Sequence, residues 1–474
     1  MGFGFRMGAL KDRWPFWLGL AAVLWALSPT PAPRQLNEIV RAARMAWQSG
    51  SATAALIEME RAIELEPTLG AGLELIAAQA ALRSGDSASA LAHAGQALQM
   101  GASVADIQCV LLVAALIGGD DTLTAEVPFD AWKSCELDSP SLRSLAELAM
   151  ARGDWETAGS ALDARAESHL DDPEAQLDLG LFLAVEDPEA APPYLHAAIA
   201  GAGGDPSAEA VLAELQTSRG AGQADLQARI GLALARQGRW RLAERALELA
   251  VEASPDFASA HAYLGLARDQ LGADGGPELQ VALRLSPLSP IVHAFLGRHW
   301  QGVGNLAAAR MEFEKVAMLD DRDPAVMAQL GEVYAAMGDL EAAEMAFRAA
   351  VERAPLDPSF WLLLAQHSLQ REIEIDTLGI PAARQAVHLD PSLAAGWDAL
   401  GYGHALLGET DLADRLLRLA LSLDPARAST HYHLGLVFHA QGNSDAAALE
   451  WRTAMDLDPG GPFGALARRA LGFP

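Results

Sequence analysis

The sequence predicts an all-α fold: an α-solenoid of antiparallel helix pairs, preceded by an N-terminal signal-anchor helix. Three observations predict it, namely an aromatic-poor apolar composition, a repeat of about 34 residues and one uncharged apolar run near the N-terminus. Of the 474 residues, 51% are hydrophobic but only 6% are aromatic. The apolar residues are therefore mostly Ala and Leu, which favours helices over sheets.

Residues 1–35 comprise a basic leader, an apolar segment and a proline-rich linker. The apolar segment, residues 14–28, carries no charge and follows three basic residues, which is typical of a signal sequence or a membrane anchor. A helix of this length spans roughly 22 Å, less than the ~30 Å hydrocarbon core, which favours a cleaved signal. The small residues Ser28 and Ala32 are each followed by proline, however, which disfavours cleavage. We expect an uncleaved anchor, with a cleaved signal or an amphipathic piece of the soluble fold as alternatives.

The placement of charge around this segment predicts the topology. Basic residues that precede a span keep the N-terminus on the cytoplasmic side. Abundant Ala, Gly and Arg with only three Lys suggest a bacterial origin. We therefore expect a single-pass protein of the bacterial cytoplasmic membrane, with the helical array on the extracytoplasmic side.

From residue 224 onward, small residues and helix-ending residues recur at an almost constant spacing. The small residues stand 32 to 36 positions apart, at Gly231, Gly265, Gly297, Gly331, Ala365, Gly401 and Gly435. The helix-ending residues keep the same steps, at Pro255, Pro287, Asp321, Pro355, Pro391, Pro425 and Pro459. A glycine turn lies between them in most units. One unit is therefore a helix, a glycine turn, a second helix and a stop.

This unit resembles the tetratricopeptide repeat (TPR) family. In one copy Trp397, Leu400, Gly401, Ala413 and Pro425 occupy the motif positions of that family. The resemblance implies a superhelix of stacked helix pairs, with a concave groove lined by the first helix of each pair. It also implies that the groove binds another protein.

The repeat pattern weakens towards the N-terminus, which predicts several segments. We expect a degenerate array at residues 36–206, an inserted helix and hinge at 207–223, a regular array at 224–461 and a C-terminal capping helix at 462–474. The two cysteines, Cys109 and Cys135, lie in the degenerate array. The sequence leaves open whether they pair.

Eight polar or aromatic residues of the first helices are candidates for the partner-binding groove. They are Arg298, Gln301, Glu332, Gln366, Asp398, Tyr402, Tyr432 and His439. Residues three or four apart share one helical stripe, and this stripe mixes small, apolar and isolated polar groups, which suits an extended peptide or a partner helix. Family members that hold acidic chaperone tails present several Lys, Arg and Asn residues there. Only Arg298 is basic here, so the resemblance does not extend to a carboxylate clamp.

Charge and composition argue against several other functions. A net charge of −28 disfavours nucleic-acid binding, which needs dense cationic contacts. The sequence shows no catalytic constellation, so we expect no enzyme activity, no cofactor and no small-molecule substrate. A cluster of histidines is the only metal candidate, and packing explains His431, which stands where Trp397 stands in the preceding unit. We expect no metal site.

The sequence thus predicts a membrane-tethered scaffold for protein–protein interaction. Its partners would be other proteins through the groove and the lipid bilayer through residues 14–28. The alternative hypothesis is an accessory subunit of a cell-envelope assembly, secretion or glycan-processing enzyme complex.

Overall fold

The computed structural model describes residues 34–49, 51–65, 71–118, 132, 133, 135, 137–201, 204–218, 222–320 and 322–472. Every regular element in these ranges is helical. The predicted anchor, residues 14–28, lies outside them. None of the helices within them combines the length and the apolar character needed to cross a membrane.

The chain divides into two compact units, residues 1–246 and 247–474. The helices of the N-terminal unit are α1 (Arg34–Gln48), α2 (Ala52–Leu65), α3 (Ala71–Arg83), α4 (Ser87–Gln99), α5 (Val104–Gly118), α6 (Ser139–Ala151), α7 (Trp155–Ser168), α8 (Pro173–Glu186), α9 (Ala191–Ala200), α10 (Pro206–Thr217) and α11 (Gln223–Arg236). Four pairs of consecutive helices pack closely, α1 with α2, α3 with α4, α6 with α7 and α8 with α9. Helix α10 contacts α8, α9 and α11. The boundary between the units falls within α12 (Trp240–Ala253), and the predicted hinge at 207–223 stays a prediction.

The C-terminal unit repeats the same helix pair six times. Its helices are α13 (Ala258–Gln270), α14 (Gly276–Leu285), α15 (Pro290–Gly302), α16 (Leu306–Leu319), α17 (Pro324–Met337), α18 (Leu340–Arg353), α19 (Pro358–Gln370), α20 (Ile380–Leu389), α21 (Ala394–Leu406), α22 (Thr410–Leu423), α23 (Ala428–Ala440), α24 (Ser444–Leu457) and α25 (Pro462–Ala470). Each odd-numbered helix from α13 to α23 packs against the next one, and α25 covers α23 and α24. A π-helical turn, Ile375–Gly379, precedes α20.

The pair formed by α17 and α18 shows why the repeat residues stand where they do. The Asp323 side chain accepts a hydrogen bond from the Ala325 N–H, so it caps a helix whose first residue is proline. Gly338 ends that helix at φ 82°, a left-handed conformation that glycine adopts without strain. Asp339 then caps α18 through the Ala342 N–H. These caps set both ends of α17 and the start of α18.

Small residues let the two helices of a pair approach closely. A Cβ atom added at Gly331 would lie 2.7 Å from Cε1 of Phe347, which is buried on the facing helix. The same relation holds between Gly297 and Phe313. Close packing of this kind leaves no room for a larger side chain. It explains why an alanine- and glycine-rich chain can build a core with few aromatic residues.

Candidate binding groove

The first helices α13, α15 and α17 line a cleft of about 890 Å³. Its lining includes Leu266, Asp269, Phe295, Arg298, His299, Gln301, Asp323, Val326, Gln329 and Glu332. Three of the eight predicted groove residues, Arg298, Gln301 and Glu332, therefore meet in one cleft, which we call the α13–α17 cleft. Apolar, amide and charged groups all line it, so it can contact both the side chains and the backbone of a bound segment.

Arg298 is the exposed cation of this cleft. Within the ranges that the structure describes, its guanidinium has no ion-pair partner. Glu332 is half-buried and accepts a hydrogen bond from Gln329 Nε2 at 3.2 Å. The five donors of a guanidinium suit a planar carboxylate.

A buried histidine forms part of one wall of the cleft. His299 is only 7% exposed, and its Nδ1 lies 3.0 Å from Asp269 Oδ1. The same carboxylate oxygen accepts a hydrogen bond from the Gly275 N–H at 2.9 Å. Asp269 thus ties α15 to the turn that follows α13 along this wall.

A second polar cluster lies further along the unit, between α21 and α23; we call Asp398, Tyr402, Ser429, Tyr432 and His433 the α21–α23 recess. Asp398 is 6% exposed and accepts hydrogen bonds from Ser429 Oγ at 2.8 Å and from His433 Nδ1 at 2.9 Å. Burial alone would raise the pKa of Asp398, but the charge of His433 and the hydrogen bonds from His433 and Ser429 lower it on balance. The carboxylate therefore stays ionised inside the protein.

Aromatic rings surround the imidazole of this recess. Tyr402 stacks on His433 with ring centroids 4.1 Å apart and planes 10° apart. Phe463 of α25 meets the same ring edge-on at 5.7 Å, and Tyr432 lies 5.8 Å away. Burial raises the pKa of Tyr402 and of Tyr432, so both hydroxyls stay protonated at neutral pH. Aromatic rings therefore surround the contact between the Asp398 carboxylate and His433 in the recess.

The remaining two predicted residues belong to neither cluster. Gln366 is half-buried in α19. His439 is exposed at the end of α23, with its ring 5.7 Å from that of Trp451. The structure thus groups six of the eight residues into two clusters, and a binding role for each of the eight stays a prediction.

Two histidines of these clusters are absent from the predicted set. His299 and His433 are buried on first helices, and each contacts an aspartate that lies 30 or more positions earlier. The spacing of one repeat between Asp398 and His433 is the signal that could have found the second pair. Across the described ranges, no group of three His, Cys, Asp or Glu side chains is placed to hold a metal ion.

Comparison with protein families identifies the repeats. Family models of the tetratricopeptide repeat match residues 229–290, 302–366 and 393–462. These segments are tetratricopeptide repeats. They include α13 and α17 of the α13–α17 cleft and all five residues of the α21–α23 recess. Tetratricopeptide repeats typically mediate protein–protein interaction and are non-catalytic, so the clusters lie in repeats of an interaction family.

Several solved structures are similar to parts of the chain. A thermophilic TPR protein of Thermus thermophilus, TTC0263, is 21% identical and covers 39% of this chain and 100% of its own, with a TM-score of 0.35. YrrB, described as a TPR protein with an unusual peptide-binding site, is 19% identical and covers 40% of this chain and 97% of its own, with a TM-score of 0.31. A chain of the Cut9–Hcn1 complex is 14% identical over 95% of this chain and 98% of its own, with a TM-score of 0.41. No curated protein matches the sequence, and none of the three structures is similar enough to transfer a function.

Proposed function

We propose that this protein is a membrane-tethered scaffold that binds an extended segment of a partner protein in the α13–α17 cleft. The observation that carries the proposal is the placement of Arg298, Gln301 and Glu332 around one cleft between neighbouring first helices. A partner segment would place an acidic side chain or its C-terminal carboxylate at Arg298. The amides of Gln301 and Gln329 would hydrogen-bond its backbone.

The charges in the cleft favour a partner segment that has one acidic residue among neutral or basic residues. Arg298 is exposed and without an ion-pair partner in the described residues, so binding a carboxylate does not require breaking an existing pair. Asp269, Asp323 and Glu332 share the lining and would repel a uniformly acidic peptide. We therefore expect one acidic residue flanked by neutral or basic ones, with apolar contacts to Phe295 and Val326.

A displayed library of random peptides, selected on the detergent-solubilised full chain, tests this binding. We expect the selected peptides to share one acidic position. The R298E variant should weaken their binding about 10-fold or more, since a hydrogen-bonded charge pair contributes ~1.5–3 kcal/mol. Fluorescence polarisation of labelled peptides measures the affinity.

The matched control is R384E, which makes the same charge change at an exposed arginine of the second helix α20, outside the cleft. It should leave peptide affinity unchanged. Equal affinity of wild type and R298E for the selected peptides would place the binding site elsewhere.

We also propose that the helical units lie on the extracytoplasmic side of the membrane. The basic leader and the uncharged residues 14–28 support this topology. The structure joins Cys109 and Cys135, whose pairing the sequence left open, by a disulfide bond. This bond supports the same topology independently, because disulfides persist mainly in oxidising compartments.

Protease treatment of spheroplasts tests the topology. We expect protease to degrade the helical units in intact spheroplasts, and deletion of residues 14–28 to remove the protein from the membrane fraction. Protection in intact spheroplasts, with digestion only after lysis, would instead put the units in the cytoplasm.

A further inference from the structure

In five first helices of the C-terminal unit, the side chain at one equivalent position forms a hydrogen bond with the turn that precedes the helix. Trp361 and Trp397 donate from Nε1 to the carbonyl oxygens of Pro355 and Pro391, at 2.8 and 2.9 Å. Histidines replace tryptophan at this position in the other three helices. Their Nε2 atoms lie 3.0, 3.0 and 3.1 Å from the carbonyl oxygens of prolines, in the pairs His261 with Pro255, His293 with Pro287 and His431 with Pro425.

The second ring nitrogen of each histidine meets a carboxylate of the following helix. Nδ1 lies 2.6 Å from a glutamate Oε2 in all three, in the pairs His261–Glu278, His293–Glu312 and His431–Glu450. Each of these glutamates stands nine positions before the residue that ends its repeat, and in the two tryptophan units that position is apolar, Ala382 or Leu416. A titratable pair therefore stands in three units where an apolar pair stands in two others.

This geometry requires an extra proton. A proline carbonyl only accepts hydrogen bonds, so Nε2 must carry a hydrogen to bind it. An ionised carboxylate also only accepts, so the contact at Nδ1 needs a second hydrogen. Both hydrogen bonds form only when the pair carries one proton more than a neutral histidine and an ionised glutamate carry together. Without that proton, the Nδ1 lone pair faces a carboxylate oxygen at 2.6 Å.

The surroundings keep these pairs largely out of solvent. The histidine side chains of 261, 293 and 431 are 10%, 5% and 13% exposed. Glu278 also binds Arg268, which lies 3.3 Å from Glu248, and Glu312 also binds Lys315. Low exposure limits the screening of each pair by water.

His431 shows the direction of the effect. The hydrogen bond to Glu450 raises the pKa of His431, burial opposes this, and the Pro425 carbonyl adds to the rise. A histidine whose pKa is higher in the folded chain than in the unfolded chain stabilises the fold below its unfolded pKa of about 6.5. That stabilisation is lost as pH rises through the folded pKa.

We propose that the His431–Glu450 pair forms a pH-responsive device, which makes the C-terminal unit more stable in mildly acidic than in alkaline solution. The pair holds its proton in the folded unit and releases it on unfolding in alkaline solution. The device concerns folding stability and does not depend on what the α13–α17 cleft binds.

The unit contains other histidines. His367 works in the opposite direction, because burial lowers its pKa and its neutral form is the stable one in the fold. His299 lies 3.0 Å from Asp269 and 3.9 Å from Asp274, and His404 and His433 lie 2.6 and 2.9 Å from one carboxylate each. The experiment must therefore compare variants rather than read a single curve.

The decisive variant, H431W/E450L, replaces the pair by the residue types that stand at Trp397 and Leu416 in the preceding unit. Tryptophan keeps the hydrogen bond to the proline carbonyl, and leucine removes the carboxylate. Urea unfolding of the full chain between pH 6 and pH 8.5 measures the stability of the C-terminal unit. We expect the unfolding constant to change less with pH in the variant than in wild type, by up to about tenfold per pH unit, since the variant has no proton to release at this position.

The matched control is H388Q, at an exposed histidine of α20, which should retain the wild-type pH dependence. An unaltered pH dependence in H431W/E450L would overturn the proposal. If that variant does not fold, an NMR titration of His431 in the wild-type protein decides, with H431Q assigning its signals. The pKa of His431 is expected to lie above that of a histidine in the unfolded chain. A pKa at or below the unfolded value would refute the device.

Discussion

Replacing Arg165 by alanine is expected to lower the free energy of unfolding of the N-terminal unit by about 3–5 kcal/mol, the range for removing one member of a buried ion pair. Arg165 is 3% exposed on α7. Its guanidinium donates to the Asp178 carboxylate and to Ser139 Oγ, the latter at 3.0 Å, and lies 3.6 Å from carboxylate oxygens of Asp172 and Glu174. The loss is large because the Asp178 carboxylate, 12% exposed, then keeps only Arg143, 3.4 Å away, as its cationic partner.

Two variants separate this effect from ordinary packing. The double variant R165M/D178L removes both charges and should recover much of the loss, since an apolar pair of similar volume often replaces a buried ion pair without cost. The control R229A breaks an exposed pair with Asp225, 2.9 Å long, and should cost about 0.5 kcal/mol or less. Urea unfolding of the three variants gives the comparison. A loss below about 1 kcal/mol in R165A would mean that water or Arg143 replaces the missing donor.

The sequence could predict the helix pairs because their determinants lie close together in the chain. Proline stops, glycine turns and small residues recur every 32 to 36 positions, and each acts on its own turn or on the adjacent helix. Gly331 and Phe347 illustrate this, since they lie 16 residues apart and meet directly across the pair. A repeat of such local contacts defines the fold without knowledge of distant ones.

Contacts between different pairs could not be predicted in the same way. Arg165 binds groups from α6 and α8, and nothing in the sequence around it marks it as buried. Asp398 and His433 meet only because α21 and α23 stand side by side. The helical stripe did predict that Arg298 and Gln301 share a face, since three residues separate them. The resemblance to stacked repeats also predicts Glu332, on the next first helix, in the same groove, and the structure places all three around the α13–α17 cleft.

The histidines show a third limit to what the sequence can predict. The shared position of His431 and Trp397 predicts a packing role, and both side chains do bind the proline carbonyl before their helix. The carboxylate of Glu450 on the facing helix turns this packing position into a titrating one. Repeat position alone therefore gives the location of a side chain but not its protonation.

The second large effect concerns the Cys109–Cys135 disulfide, whose Cα atoms lie 5.4 Å apart. The C109A/C135A variant should lower the free energy of unfolding of the N-terminal unit by about 3.5 kcal/mol, the chain-entropy value for a closed loop of this length. The bond joins two residues 26 positions apart and links α5 to the segment before α6. That segment carries Trp132, which is 8% exposed and packs in one core with Leu112 and Leu142. Without the bond, Trp132 must hold its place through packing alone.

Reductant provides the matched comparison, because it breaks the same bond without changing a side chain. Reduction of wild type should lower its urea midpoint to that of C109A/C135A, whereas the variant should not respond. Hydrogen exchange should accelerate in α5 in both cases, since the disulfide no longer restrains its local opening. Equal thiol labelling of the unfolded wild-type chain with and without reductant would show two free cysteines. In that case the oxidising-compartment argument for the extracytoplasmic topology would also lose its support, and only the N-terminal charge pattern would remain.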